Sequence, residues 1–192
     1  MLDLSSCQPL DVPAEMMHHV VKVESAFNPY AIGVVGGHLQ RQPRSLPEAV
    51  ATARQLQSDR RNFSVGLAQV NRHNLARLGL ATLEQAFQVC PNVQAGARVL
   101  AECHRRYGDW GRALNCYYSG NAVTGFRHGY VQKVVASLGS AAPIGMALDG
   151  AGAAGRAHPQ RREVPVRGAL VRRRGQPDAG QTPAGGDAAF VF

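Results

Sequence analysis

"VVKVESAFNP", residues 20–29, places an acid, Glu24, on the apolar side of what reads as a helix. Successive helical side chains are rotated by about 100°. Stepping back three, four and seven positions from Glu24 lands on Val21, Val20 and Met17, with Met16 and Val23 flanking the same arc. Glu15, His18, His19 and Lys22 occupy the other side. Glu24 therefore falls inside the apolar stripe, where a charge is costly unless it is paired or protonated. Burial disfavours the carboxylate, and so does the negative end of the helix dipole close by. Both raise its pKa, which suits a general acid working near neutral pH. The wheel also allows a plainer arrangement, a fraying helix end with the side chain in solvent.

Around this segment the pattern is mostly helical. Asp11 is a candidate cap for the helix, with Pro13 in its opening turn and an end at about Ser25. "AIGVVGGHLQRQ", residues 31–42, reads as a small hairpin turning at Gly36–Gly37. "SLPE", Ser45 to Glu48, is a capping box opening a helix through about Ser58. "FSVGLAQVN", residues 63–71, reads as a turn leading into a helix that stops at Gly79. Further helices are predicted over 92–107, ended by Gly108, then over 110–118 and over 128–138, ended by Gly139. Trp110, beside Asp109 at a helix start, reads as a core anchor. These elements predict a mainly α (α+β) domain over 1–139 with one small β-hairpin excursion.

Beyond residue 139 the composition changes to Ala, Gly, Pro and Arg with little apolar periodicity. Such a segment buries too little apolar surface to offset its ordering entropy, so 140–192 is expected to be a disordered tail. Its run Arg172, Arg173, Arg174 reads as a solvated charge cluster. The chain as a whole has 192 residues, 45% of them hydrophobic, and a formal charge of +8, which suits an anionic partner. No apolar run approaches the roughly 20 residues of a membrane span. With 6% aromatic residues and one Trp there is no stacking platform for single-stranded nucleic acid.

Cys7, Cys90, Cys103 and Cys116 include no C-x-x-C pair and no His at zinc-site spacing, so no structural metal or cofactor is expected. They are buried thiols or two disulfides, and their even number favours the second and an oxidising compartment. "MLDLSSCQPL", residues 1–10, shows no basic segment followed by an apolar stretch. From these residues, either the chain stays in the cytoplasm or the sequence begins downstream of an export signal.

Three further stretches bear on Glu24: "VESAFNPYA" (Glu24, Ser25, Asn28, Pro29), "VGLAQVN" (Gly66, Leu67, Gln69, Asn71) and "ALNCYYSGN" (Tyr117, Tyr118, Gly120). In kind and order they resemble the motifs of the lytic transglycosylases with a goose-lysozyme-like fold, enzymes that cleave peptidoglycan glycan strands. The likeness covers about residues 12–139. The insert between the first two motifs and the "CYYSGN" form of the third resemble the accessory transglycosylases of type IV secretion and conjugation machines. Three positions depart from the usual pattern. Ala68 stands in place of Met, which is expected to strip a side chain from the wall of the sugar groove, Tyr118 stands in place of Asn, and Ser119 in place of Ala.

The resemblance implies a lysozyme-like domain in the periplasm, with peptidoglycan strands as substrate and secretion-apparatus proteins as partners reached through the tail. It implies cleavage between N-acetylmuramic acid and N-acetylglucosamine with formation of a 1,6-anhydro ring. Glu24 would be the acid and then the base, because no second carboxylate falls beside the three motifs. Gln69 could hold an acetamido group or satisfy turn backbone. Tyr117 could orient Glu24 and pack its ring against sugar, or be a core tyrosine. Tyr118 would join the substrate-binding set, and Ser25 and Asn71 could touch substrate or cap their elements. With export implied, antiparallel packing across "RRYGDWGRALN" would bring Cys103 to Cys116, leaving Cys7 to staple the first helix to Cys90. The competing readings are a hydrolytic muramidase on the same fold and a non-catalytic wall-binding scaffold.

Overall fold

A computed structural model describes residues 4–139. The expected tail, with Arg172–Arg174, lies outside the described residues. After a 3₁₀ turn at Ser5–Cys7, helix α1 (Ala14–Ser25) buries Met16, Met17, Val20 and Val21, the stripe read from the wheel. Its start differs from the expectation: Pro13 occupies the cap position without a side-chain bond, and Asp11 instead stands 3.8 Å from Arg98. Helix α2 (Leu46–Ser58) is capped by Ser45, whose hydroxyl accepts from Glu48 N at 3.4 Å. The Glu48 carboxylate reaches one residue past the cap and accepts from Arg44 N at 2.9 Å.

The hairpin expected at Gly36–Gly37 does not form. Strand β1 (Ile32–Val34) pairs antiparallel with β2 (Phe63–Val65), which pairs antiparallel with β3 (Val70–Asn71), in the order β1-β2-β3. All residues of β1 and β2 are buried, so β1 needs an apolar neighbour on each side, and the polar stretch after Gly37 cannot supply one. Gln42 from that stretch bonds to the backbone of β1 with its side chain instead. It accepts from Ile32 N at 2.8 Å and donates to Ile32 O at 3.0 Å, using two backbone groups that a further strand would otherwise need to pair. The hairpin of this domain is β2–β3, closed by the turn Gly66–Gln69.

The helix expected after Asn71 is replaced by successive turns over 72–79. Asn71 starts them by accepting from His73 N through Oδ1 at 3.1 Å, a local bond that competes with helix formation. Gly79, at φ 83°, ends them as the sequence suggested.

The C-terminal half is helical: α3 (Leu83–Ala86), α4 (Val89–Tyr107), α5 (Trp110–Ser119), α6 (Thr124–Arg127) and α7 (Tyr130–Leu138). α4 has Pro91 in its first turn, basic residues in its last, and Gly108 in the left-handed conformation just past its end. Asp109 caps α5 by accepting from Arg112 N at 2.8 Å. Trp110 is partly buried and stacks on His104 with ring centres 4.0 Å apart. Disulfides join Cys7 to Cys90 and Cys103 to Cys116, the second tying α4 to α5. α7 packs along α1, so the start of α7 meets the end of α1 beside Glu24. Among the described residues no helix is long and apolar enough to cross a membrane.

Candidate active site

Glu24 lies in the last turn of α1 because the chain reverses immediately after it. Ala26 (φ 49°) and Phe27 (φ 63°) both adopt the left-handed conformation, and Ala26 N donates to Lys22 O at 3.1 Å. For residues with a β-carbon this costs roughly 1–2 kcal/mol each. Asn28 completes the turn, accepting from Tyr30 N through Oδ1 at 2.9 Å and from Ala31 N through its carbonyl at 3.2 Å. Ser25 donates back to Val21 O at 3.0 Å, which places its hydroxyl on its own helix end.

The carboxyl of Glu24 is asymmetric. Oε1 accepts from the Tyr130 hydroxyl at 2.7 Å. Oε2 is the one buried side-chain nitrogen or oxygen among the described residues without a hydrogen-bond partner. The residue as a whole keeps partial exposure while Oε2 itself is sealed from water. Burial pushes the Glu24 pKa up to about 8, and the Tyr130 bond pulls the other way with less effect. The carboxyl is thus mostly protonated at neutral pH.

The turn Gly66–Gln69 is held from three directions. Gly66 has φ 77°, and a β-carbon there would lie 2.4 Å from Asn92 Nδ2. Asn92 accepts from Ala68 N at 2.7 Å and donates to Val65 O at 3.0 Å and Ala86 O at 2.8 Å. Tyr117 donates to Ala68 O at 2.7 Å. Gly96 on α4 makes room for this approach, since a β-carbon on it would meet Ala68 Cβ at 2.5 Å and the Tyr117 hydroxyl at 2.9 Å. Ala68 is fully buried against α4. Tyr117 is fully buried too, so its ring packs in the core and not on sugar.

Gln69, also left-handed at φ 46°, is 2% exposed and donates through Nε2 to Gly66 O at 2.9 Å and Ala31 O at 3.1 Å. Both partners are carbonyls, so both amide hydrogens are used and Oε1 is the atom left to receive a donor. Asn71 faces inward: its Nδ2 donates to Asn62 Oδ1 at 3.0 Å and its Oδ1 serves His73 N. Tyr118 is 5% exposed, bonds His128 Nδ1 through its hydroxyl at 3.1 Å, and stacks on Tyr130 with ring centres 4.8 Å apart. The fold therefore brings Glu24, Gln69, Tyr117 and Tyr118 into one connected cluster and leaves Ser25 engaged with its own helix end and Asn71 with Asn62 and His73.

Sequence reasoning missed Tyr130 and Asn92. Tyr130 lies 106 positions from Glu24, and nothing in its local pattern marks it. Asn92 did leave a signal, since it is a polar residue on the apolar face of α4, the same anomaly that singled out Glu24. The other described acids are engaged elsewhere: Asp11 near Arg98, Glu48 with Arg41 and Arg44, Asp59 with Gln55, Glu84 with Arg54, Glu102 with Arg77, and Asp109 at its cap. Glu15 stands in the first turn of α1, at the end opposite Glu24. Among the described residues no group of three or more His, Cys, Asp or Glu could hold a metal ion. The cluster offers one protonated carboxyl, one amide acceptor and a tyrosine wall.

A small helical domain with a minor sheet and a lone acid at the end of its first helix belongs to the lysozyme-like class. The transglycosylase SLT domain model matches residues 7–136, and the chain belongs to that family. Type IV secretion system protein virB1 of Brucella abortus and that of Brucella suis are each 48% identical over 145 residues, 68% of this chain and 60% of theirs. Protein virB1 of Agrobacterium tumefaciens is 33% identical over 149 residues, 71% of this chain and 59% of that protein. The chain thus spans about 60% of the length of the curated relatives it matches. No solved structure matches it significantly.

Proposed function

We propose that the chain is a peptidoglycan lytic transglycosylase in which Glu24 is both general acid and general base. The observation that carries this reading is the mostly protonated carboxyl of Glu24, on a residue that keeps partial exposure, with every other described acid engaged elsewhere. Such a group gives its proton to the oxygen bridging N-acetylmuramic acid and N-acetylglucosamine as the C1–O bond breaks. The 2-acetamido group of the substrate steadies the positive charge that develops at C1. The 6-hydroxyl oxygen then bonds to C1 and its proton returns to Glu24, which restores the acid and leaves a 1,6-anhydro ring. No water enters the balance.

In this reading Gln69 Oε1 accepts from the acetamido N–H. Tyr117 and Asn92 act indirectly, by fixing the turn that carries Gln69. A hydrolytic muramidase would need a positioned water and commonly a second carboxylate, and the described acids offer none beside Glu24. The substrate lies in the periplasm, and two disulfides suit that oxidising compartment. The similarity to virB1 proteins of type IV secretion supports local opening of the wall for such an apparatus.

The test is digestion of purified peptidoglycan followed by mass spectrometry. Muropeptides lighter by one water than hydrolysis products are expected, and Glu24→Gln is expected to lower the rate by about 10²–10⁴-fold. Reducing-end products would move the assignment to a hydrolase. Undiminished lysis by Glu24→Gln would remove Glu24 from the chemistry.

A further inference from the structure

The sheet has two ends. At one, Gly66 N donates to Ala31 O at 2.9 Å, beside the turn that carries Gln69. At the other, Val35 N donates to Asn62 O and Arg72 N to Phe63 O, both at 2.9 Å, so the segments 35–37, 60–62 and 72–73 meet there. We propose that this second end is a binding surface for the carboxylates of a peptidoglycan stem peptide, held by the guanidinium groups of Arg61 and Arg72 beside the bare backbone of Gly36–Gly37. This rests on the reading of the chain as a peptidoglycan enzyme and adds the part of the substrate that branches from the glycan strand.

Five described arginines already face an acid: Arg41 with Glu48, Arg54 with Glu84, Arg77 with Glu102, Arg98 with Asp11 and Arg112 with Asp109. Arg60, Arg61 and Arg72 face none among the described residues. Asp59, next to them in sequence, turns its Oδ1 back to Gln55 Nε2 of its own helix at 2.9 Å. Arg60 and Arg61 follow the end of α2, where the negative end of the helix dipole favours basic residues. That accounts for those two and not for Arg72, which arrives from β3. Arg72 is fixed on Arg61: its Nη1 donates to Arg61 O at 2.7 Å, and its guanidinium carbon lies 5.5 Å from the centre of the Phe63 ring. The bond uses one of its five N–H groups and leaves the others to receive a carboxylate.

Arg61 lies over the two glycines. A β-carbon on Gly37 would stand 3.0 Å from Arg61 Nη2, and one on Gly36 would meet nothing within 4 Å. Gly36, Gly37 and Arg61 are all exposed. A strip of backbone without side chains, flanked by a guanidinium, lets a narrow ligand such as a peptide approach closely. The exposed large hydrophobic residues among those described, Val123 and Phe126, stand at α6, so this end of the sheet offers no apolar side chain to a bilayer. Reach is sufficient as well. With Gln69 on the acetamido group of N-acetylmuramic acid, the peptide starts from the neighbouring ring carbon, through the lactyl group. From Gln69 to Arg72 is about 10 Å at the rise of a strand. A stem of four residues extends to about 13–14 Å.

The experiment titrates the full chain with the free stem tetrapeptide, released from peptidoglycan by an amidase, and with the same peptide after methyl esterification. NMR follows the side-chain N–H signals of Arg61 and Arg72 and the amides of Gly36 and Gly37. The carboxylate form is expected to shift them saturably, the ester to leave them in place, and 0.5 M salt to weaken binding several-fold. Arg61→Gln should weaken it by about 2–5-fold, and Arg61→Lys, which keeps the charge without the fork, by less. In cleavage assays the parent should show a lower KM for peptide-bearing strands than for strands stripped of peptide, with similar kcat, and Arg61→Gln should narrow that gap. Unmoved signals, equal shifts with the ester, or a KM gap untouched by Arg61→Gln overturn the proposal and leave Glu24 in its role. Binding to phosphatidylglycerol vesicles that depends on Arg61, with no response to the peptide, overturns it in favour of a membrane contact. If circular dichroism shows Arg61→Gln unfolded, Gly37→Glu takes its place, setting an acid of the chain's own beside Arg61. Peptide binding should weaken there too, and undiminished binding overturns the proposal. An active Glu24→Gln variant would instead sink the functional reading, while the peptide titration would stand by itself.

Discussion

At the scale of single residues, Glu24 ionises at about pH 8 in the folded chain against an ordinary value of 4.5. Below about pH 4.5 the folded and unfolded chains both hold the proton, and this site leaves stability untouched. As pH rises from there the unfolded chain ionises first and gains stability relative to the folded one. Above about pH 8 both are ionised and the full penalty of a buried charge is present. At about 1.4 kcal/mol per unit of pKa difference, that penalty is on the order of 3–5 kcal/mol. Glu24→Gln cannot ionise and escapes it. The variant proposed to be inactive is therefore expected to be more stable than the parent by a few kcal/mol at pH 8 and to match it near pH 4. Urea denaturation at several pH values checks this, and equal stability at pH 8 would mean that the carboxyl is hydrated in the folded chain. A residue that makes the fold less stable where the chemistry needs it is the pattern expected of a working site.

At the scale of elements, Asn92 is the joint between α4 and the hairpin turn. Its side chain satisfies Ala68 N, Val65 O and Ala86 O at once, all of them buried. Asn92→Ala strands these groups, and a cost of about 2–4 kcal/mol is expected. The Ala68 amide should exchange with solvent faster than its neighbours on α4, which hydrogen-exchange NMR reads directly. An Ala68 amide still fully protected would show that Tyr117 alone holds the turn. The same joint explains what could be read from the sequence. Helix ends follow from local chemistry, so Ser45, Asp109, Gly108 and Gly139 marked their boundaries correctly. The partner of β1 is hidden from a local reading because β2 comes only after α2, whereas the Gly36–Gly37 turn lies next to β1 in sequence. Glu24 stood out because a charge on an apolar stripe is visible within one helix. Tyr130 did not, because its role is defined by contact between α1 and α7, and no periodicity within α7 encodes it.

At the scale of the whole molecule, the two disulfides act on chain segments of very different length. Cys7–Cys90 spans 83 positions and ties the N-terminal turn to the start of α4, enclosing α1, α2 and the sheet. Cys103–Cys116 spans 13 positions across the α4–α5 corner. If a cross-link stabilises mainly by restricting the unfolded chain, the longer loop is worth about 4.5 kcal/mol and the shorter about 3 kcal/mol. The double variant Cys7→Ser/Cys90→Ser should therefore lose more stability than Cys103→Ser/Cys116→Ser in denaturant melts. Their effects on activity should run the other way. The short bond lies directly beside Tyr117, whose hydroxyl holds the turn bearing Gln69, so opening it loosens the cluster around Glu24. The long bond meets that cluster less directly, through Cys90 two positions before Asn92, and the protein without it should lose less of its rate per folded molecule. Equal losses of stability in the two double variants would mean that folded-state strain or residual structure outweighs loop length. A slow but stable Cys7→Ser/Cys90→Ser enzyme would mean that the N-terminal turn takes part in shaping the site.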